Sequence, residues 1–360
     1  MKRWIALFLA LVFLILCCSC AADTVDVMQY GKSRITANMY RYWLSSYKGT
    51  FLYTYSDMTD SDAFWSSILY DDVTAEEYLN EAVQENVKRT LVCMELFREN
   101  GLRLPASAED EIDAYIDDLI RERGGGSKNV FNQELAKLGI NTDMLRDIYR
   151  YEKQASLLFQ TLYAKGGARA LSEEQFETYC LENYVRVRHI YINDAYVYET
   201  DDSGNYRYND DGTLMMRELT AAEAETKAAT VAKIEADLAA GRDAEEVYKE
   251  YSEDTFYKNG YYLTRETNFI PEVVDAAFTL RVGESVKVES DYGTHFLIRM
   301  EMDPAPYKNA ENADFFSTFE SDAKNADFRG YLDTLLPEVE INREEIDKYS
   351  IRDAEINYSI

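Results

Sequence analysis

Val185-Arg186-Val187-Arg188-His189-Ile190-Tyr191-Ile192 carries one of the two histidines of this chain, and Tyr292-Gly293-Thr294-His295-Phe296-Leu297-Ile298 carries the other. Both runs are dense in β-branched and aromatic residues, so each reads as a strand with an imidazole embedded in it. A chain of 360 residues with 29 tyrosines and 66 carboxylates places both histidines in the same kind of setting. If the two strands are neighbours, the imidazoles meet and form a site.

Outward from these strands, the upstream half is helical. Val25-Asp26-Val27-Met28-Gln29-Tyr30 alternates and Gly31-Lys32-Ser33 turns, an extended start. Helical periodicity then runs from Thr36 to Val185. Thr74 and Glu77 form a capping box before an amphipathic helix, Ala75 to Asn100, that Gly101 stops. Ser107 to Arg123, Phe131 to Leu138 and Thr142 to Tyr163 follow, and Ser172 with Gln175 opens another helix. After the first histidine strand, Asp201 to Gly212 is rich in oxygen ligands, yet Tyr206 stands where a calcium loop needs its sixth-position glycine. Short strands joined by Asp/Gly turns are the expectation there. Thr220 with Glu223 caps a helix to Gly241, Asp243 starts one through Tyr251, and Pro271 starts one through Leu280. The tail reads as helix from Ala310 to Leu336, where Pro337 stops it.

At the N-terminus Met1-Lys2-Arg3 precedes an apolar run, Trp4 to Leu16, and then Cys17-Cys18-Ser19-Cys20. This is the form of a secretory signal, and the run falls short of the ~20 apolar residues that span a bilayer. Cys20, after Ser19, is the candidate lipidated residue, so the mature chain is expected outside the cytoplasmic membrane, held by acyl chains. Cys93 and Cys180 remain after processing. They read either as a disulfide of an exported protein or as two separate buried thiols. Thirty-eight basic against 66 acidic side chains give a net charge of −28, which argues against nucleic acid as a partner. The chain has no HExxH pattern and no Gly-x-Ser-x-Gly elbow, so neither a metal ion nor a cofactor is expected.

Two further stretches stand between the histidine strands, making four in order: Val187-Arg188-His189-Ile190; Tyr248-Lys249-Glu250-Tyr251-Ser252-Glu253-Asp254; Phe269-Ile270-Pro271-Glu272 through Ala276-Ala277-Phe278-Thr279-Leu280-Arg281-Val282-Gly283-Glu284; and Ser290-Asp291-Tyr292-Gly293-Thr294-His295-Phe296. Together they resemble a parvulin-type peptidyl-prolyl isomerase domain. With the lipoprotein-like start and helical flanks, the whole chain resembles extracytoplasmic foldases of the PrsA type. The resemblance implies an α+β chain: a signal over 1–20, a helical chaperone-like domain over 21–182, an isomerase module over 183–302 and a helical segment over 303–360 that packs with the N-terminal domain. It implies a four-stranded antiparallel sheet flanked by helices, with His189 and His295 side by side. Asp254 and Ser290 are then implied beside them as catalytic groups, with Tyr262, Phe269, Val273 and Phe278 around the proline. The implied partners are unfolded exported proteins with X–Pro bonds. The chain departs from the family in having Gly260-Tyr261-Tyr262-Leu263 where Gly-Asp-Leu-Gly is usual, and Val273 where an aromatic is common. A chaperone that binds clients through this module without turnover is the alternative.

Overall fold

The computed structural model describes residues 25–55 and 58–358, so the signal segment and Cys20 lie outside the described residues. Among the described residues, no helix is long and apolar enough to cross a membrane. The chain divides into two compact units, one formed by residues up to Ala170 together with those from Asn325 onward, the other by Leu171–Lys324.

The first unit begins with β1 (Asp26–Tyr30) and β2 (Ser33–Thr36), and leads into α1 (Ala37–Thr54). A short hairpin, Ile68–Tyr70 with Val73–Thr74, interrupts the helical stretch expected from Thr36 onward. Then come α2 (Ala75–Glu99), α3 (Ala106–Arg123), α4 (Lys128–Leu135) and α5 (Thr142–Tyr163). The Thr74–Glu77 capping box is formed in both directions, and Gly101 takes the left-handed conformation that ends α2. Val83, Val87 and Leu91 of α2 are buried, as are Leu145 and Ile148 of α5, which packs on it. Glu340–Ile341 returns to pair antiparallel with β1, so this unit is built from both ends of the chain. Its last residues are held by Lys48, whose buried ammonium donates to the carbonyls of Arg352 (2.7 Å) and Ala354 (2.9 Å) and pairs with Asp60 at 3.0 Å. A buried ammonium is tolerable only with such a full set of acceptors.

The second unit opens with α6 (Glu173–Asn183), again capped reciprocally, by Ser172 and Gln175. Next come β3 (Val185–Ile192), α7 (Ala221–Ala239), α8 (Ala244–Tyr251), β4 (Tyr261–Leu263), α9 (Pro271–Thr279), β5 (Ser285–Ser290) and β6 (Gly293–Met300). The sheet is wholly antiparallel, in the order β4-β3-β6-β5. Side chains alternate across it. Val185, Val187, Leu263 and Leu297 face α9 and pack on its Val273 and Ala277. Ile190, Ile192 and Phe296 face α7 and α8 through Ile234, Val247 and Tyr248. Both faces are therefore covered, which accounts for the apolar side chains that β3 and β6 present to each side.

This unit is wider than 183–302. Tyr184 and Tyr262 pack with Cys180 on one flank and with Phe316 and Phe319 on the other, an aromatic cluster that ties α6 and the stretch after β6 to the module. The tail is also less regular than its sequence suggests. Pro306–Lys308 and Ala310–Asn312 are short 3-10 turns, and the helix starts only at Phe319, running to Leu335. Burying Phe316 and Phe319 beside Tyr184 bends the chain out of the helix that periodicity favours.

Candidate functional site

Register brings the histidines together. His295 pairs with Tyr191, and His189 with Leu297, so the two imidazoles are diagonal neighbours on the α9 face of the sheet. His189 Nε2 and His295 Nδ1 are 2.9 Å apart, and the rings are nearly parallel at 16°. Both are buried, at 4 % and 1 % exposure.

Each outer nitrogen has its own partner. Asp254 Oδ2 lies 2.9 Å from His189 Nδ1, and Ser290 Oγ lies 2.8 Å from His295 Nε2. Asp254 is brought in by the segment after α8. Glu253 N–H donates to the Tyr191 carbonyl at 2.8 Å, and the Ser252 hydroxyl accepts from Tyr191 N–H (3.2 Å) while donating to the Asp254 carbonyl (2.9 Å). The segment thus takes over the edge of β3 that β4, pairing only at Val185–Val187, leaves free. Ser290 is the last residue of β5, just before the turn to β6. Gly293 in that turn has φ 140°, and an added Cβ would come within 2.4 Å of the Ile192 carbonyl oxygen. Only glycine fits so close a backbone approach.

With Asp254 ionised, the hydrogen-bond polarity follows from donor count. The carboxylate only accepts, so His189 carries its proton on Nδ1 and accepts at Nε2. His295 then donates from Nδ1 and accepts from the Ser290 hydroxyl at Nε2. Burial works against the Asp254 charge, but donors from His189, Tyr261 and the Phe256 N–H outweigh it and hold its pKa below the usual carboxylate value. Burial first, and the neighbouring His189 second, push the His295 pKa down to about 4. A neutral His295 agrees with the proton placement.

The remaining sequence-predicted residues divide. Phe269 meets His189 edge-on at 5.8 Å between ring centroids. It lines, with Ile270, Pro271, Glu272, Ser290, Asp291 and others, a cleft of about 650 Å³. Tyr262, Val273 and Phe278 are not among the residues lining that cleft. Tyr262 points to the opposite face, where its hydroxyl donates to Asp303 at 2.7 Å and its ring joins the Phe316 cluster. Val273 is buried in the core between α9 and the sheet, and Phe278 packs against that core under the Arg265 guanidinium.

Two residues at the site escaped the sequence reading. Tyr261 donates its hydroxyl to Asp254 and sets its ring edge-on to His189 at 5.2 Å. Tyr191 stacks on His295 at 5.0 Å. The signal for Tyr191 was available, because it stands two residues from His189 on a strand and so shares its face.

No protein-family model matches the chain, and no curated protein matches it. Among solved structures it is similar to PrsA from Bacillus subtilis, at 18% identity over 83% of this chain and 93% of that one, with a TM-score of 0.25. It is similar to the foldase protein PrsA of Streptococcus pneumoniae at 15% identity, over 78% and 96% of the two chains and a TM-score of 0.23. A third likeness is to a structure from a description of PEB4 and Cj1289, two SurA-like chaperones of Campylobacter jejuni. It stands at 10% identity, 88% and 98% coverage and a TM-score of 0.25. Similarities of this size leave the functional reading to the side chains of the site.

Proposed function

We propose that the chain is a lipid-anchored extracytoplasmic foldase whose sheet-bearing unit binds X–Pro segments of unfolded exported proteins and catalyses their cis–trans isomerisation, the helical remainder serving as a chaperone domain. The observation that carries this is the hydrogen-bonded series Asp254–His189–His295–Ser290, which ends in an open cleft beside Phe269. Isomerisation breaks no bond. It must overcome the ~18–20 kcal/mol of amide resonance that keeps the peptide planar. The planar amide is more dipolar than the twisted one, so a dry seat destabilises the ground state relative to the twisted transition state. Phe269 and Ile270 supply an apolar seat for the proline ring. Ser290, at the cleft end of the series, is the hydroxyl that can turn its one proton from His295 Nε2 to a substrate carbonyl. His189 and Asp254 act through it, as positioning residues that fix the orientation of His295.

The test is isomerisation of an X–Pro peptide set by the chain from residue 21, against His295→Ala. Catalysis by the wild type that falls at least tenfold in the variant, with the fold intact, is the expected result. A second reading, client binding without turnover, has its own support. Both nitrogens of each histidine are taken up within the series, and Asp254 Oδ1 and Oδ2 both already accept protein donors. Binding of the peptides by the wild type without catalysis on any of them establishes that reading instead. Retention on membranes by the wild type and its loss in Cys20→Ser tests the anchor.

A further inference from the structure

We infer that this site selects X–Pro bonds in cationic segments, with a lysine or arginine beside the proline held by the carboxylates of the cleft and by a row of tyrosines on the adjoining ribbon. The inference rests on the proposal that this cleft binds X–Pro segments, and it names the chemistry of those segments.

The connection after β3 is a two-stranded ribbon, pairing Val197 with Arg217 and Tyr198 with Met216 and bridging Thr200 to Tyr206 and Tyr208 to Leu214. Asp201 turns it by accepting from the Ser203 and Asn205 N–H groups, both at 2.9 Å. Its tyrosines continue outward from the histidines. Tyr191 stacks on His295 at one side and lies near Tyr196 at the other. The Tyr196 and Tyr198 hydroxyls are 3.1 Å apart, and the Tyr198 and Tyr206 rings meet edge-on at 5.9 Å. Tyr191 also donates to the Tyr292 carbonyl at 2.6 Å, and Tyr292 lines the cleft. Tyr191 therefore links the ribbon side of the histidine pair to the rim of the cleft.

The net charge of ribbon and cleft is negative. Between Asp194 and Glu218 there are seven carboxylates and two arginines, and those arginines already pair with Glu199 and Glu223. The cleft is lined by Glu272, Glu289 and Asp291 and by no lysine or arginine. Glu289 shares Lys287 at 3.3 Å. Tyrosine faces attract ammonium and guanidinium groups, and the carboxylates complete a complement to an extended basic segment. An acidic client meets repulsion on both sides of the proline.

The experiment uses the chain from residue 21 and peptides of one sequence with Lys, Ala or Glu on either side of Pro, read by binding titration and by exchange NMR. The Lys peptide should bind about tenfold more tightly than the Glu peptide at low salt, the compound of two or three exposed ion pairs. That ratio should collapse near 1 M salt, where screening acts within ~3 Å, and in the Glu272→Gln/Asp291→Asn double variant. Equal binding of the three peptides by the wild type overturns the inference, and if they are still isomerised the reading above survives it. A charge preference in binding without isomerisation of any peptide does the reverse.

Discussion

Replacing Asp254 by asparagine removes a charge while keeping the shape, and the structure says what must follow. Asp254 Oδ2 accepts from His189 Nδ1 and from the Tyr261 hydroxyl, and Oδ1 accepts from the Phe256 N–H at 3.2 Å. An amide cannot serve all three. With its oxygen toward His189, its NH₂ faces the Phe256 N–H, donor against donor. With its NH₂ toward His189, Nδ1 must become the acceptor and the whole series reverses: His189 donates to His295, His295 donates to Ser290, and the Ser290 hydroxyl is left with the Gly293 carbonyl at 3.4 Å. Either way a hydrogen bond to a buried charge is lost, a cost of about 1.5–3 kcal/mol. Amide exchange in β3 and β6 around residues 187–191 and 294–298 should accelerate roughly 10- to 150-fold where opening of the unit governs it. Nitrogen-15 spectra of the two imidazoles report the tautomers directly. In the wild type both should be protonated at Nδ1. Wild-type exchange together with wild-type tautomers in Asp254→Asn refutes the proton placement and the positioning role built on it.

Four other outcomes follow from named positions. The folded His295 pKa of about 4 lies below the ~6.5 of an unfolded histidine, so its contribution is complete above pH ~6.5 and is lost as pH falls toward 4, about 3 kcal/mol in all. Asp254, lowered in the fold, adds to the loss only below pH ~3.9. Denaturant titrations of the chain from residue 21 at pH 7.5, 5.5 and 4 check this, and a flat profile contradicts it. Gly49→Ala should destabilise the first unit by about 1–3 kcal/mol and expose residues 350–357 to protease, because a Cβ there would lie 1.8 Å from the Asn357 carbonyl oxygen. Gly330→Ala, a helical position with open space, should instead stabilise by up to ~1 kcal/mol. Cys93 and Cys180 are buried free thiols whose pKa values burial pushes up to about 12 and about 11. Two thiols per chain from residue 21 should titrate with Ellman's reagent, and only after unfolding. None titrating without reductant contradicts the free-thiol structure.

What could be read from sequence was whatever is local or strongly patterned. The capping boxes at Thr74, Ser172 and Thr220 are written within four residues, and all three form. The histidine strands carry their signal in their own composition, and Tyr206 correctly ruled the Asp201 stretch toward a ribbon. The unread parts depend on which residue of a pair meets which partner. Tyr261 and Tyr262 are chemically identical neighbours, and a one-residue change of register exchanges their faces. The choice is made by β4 pairing Val187 with Tyr261 and Arg186 with Tyr262. That register is held where Gly260, at φ 90°, lets the backbone pass 2.8 Å (Cβ equivalent) from the Val187 carbonyl oxygen.

The same strand decides how the departure from Gly-Asp-Leu-Gly should be understood. Tyr261 brings a hydroxyl to Asp254 and a ring edge to His189, so the substitution adds a member to the hydrogen-bonded series. Val273, a valine where an aromatic is common in the resembled family, sits against Val185, Val187 and Leu297 in the core, leaving Phe269 as the aromatic that lines the cleft next to His189. The seat proposed for the proline therefore has Phe269 as its aromatic wall and a polar side braced by Tyr261. A site of that form holds its imidazoles in one tautomeric arrangement, and under the function proposed above the selection of the client falls to the ribbon tyrosines and the cleft carboxylates around it.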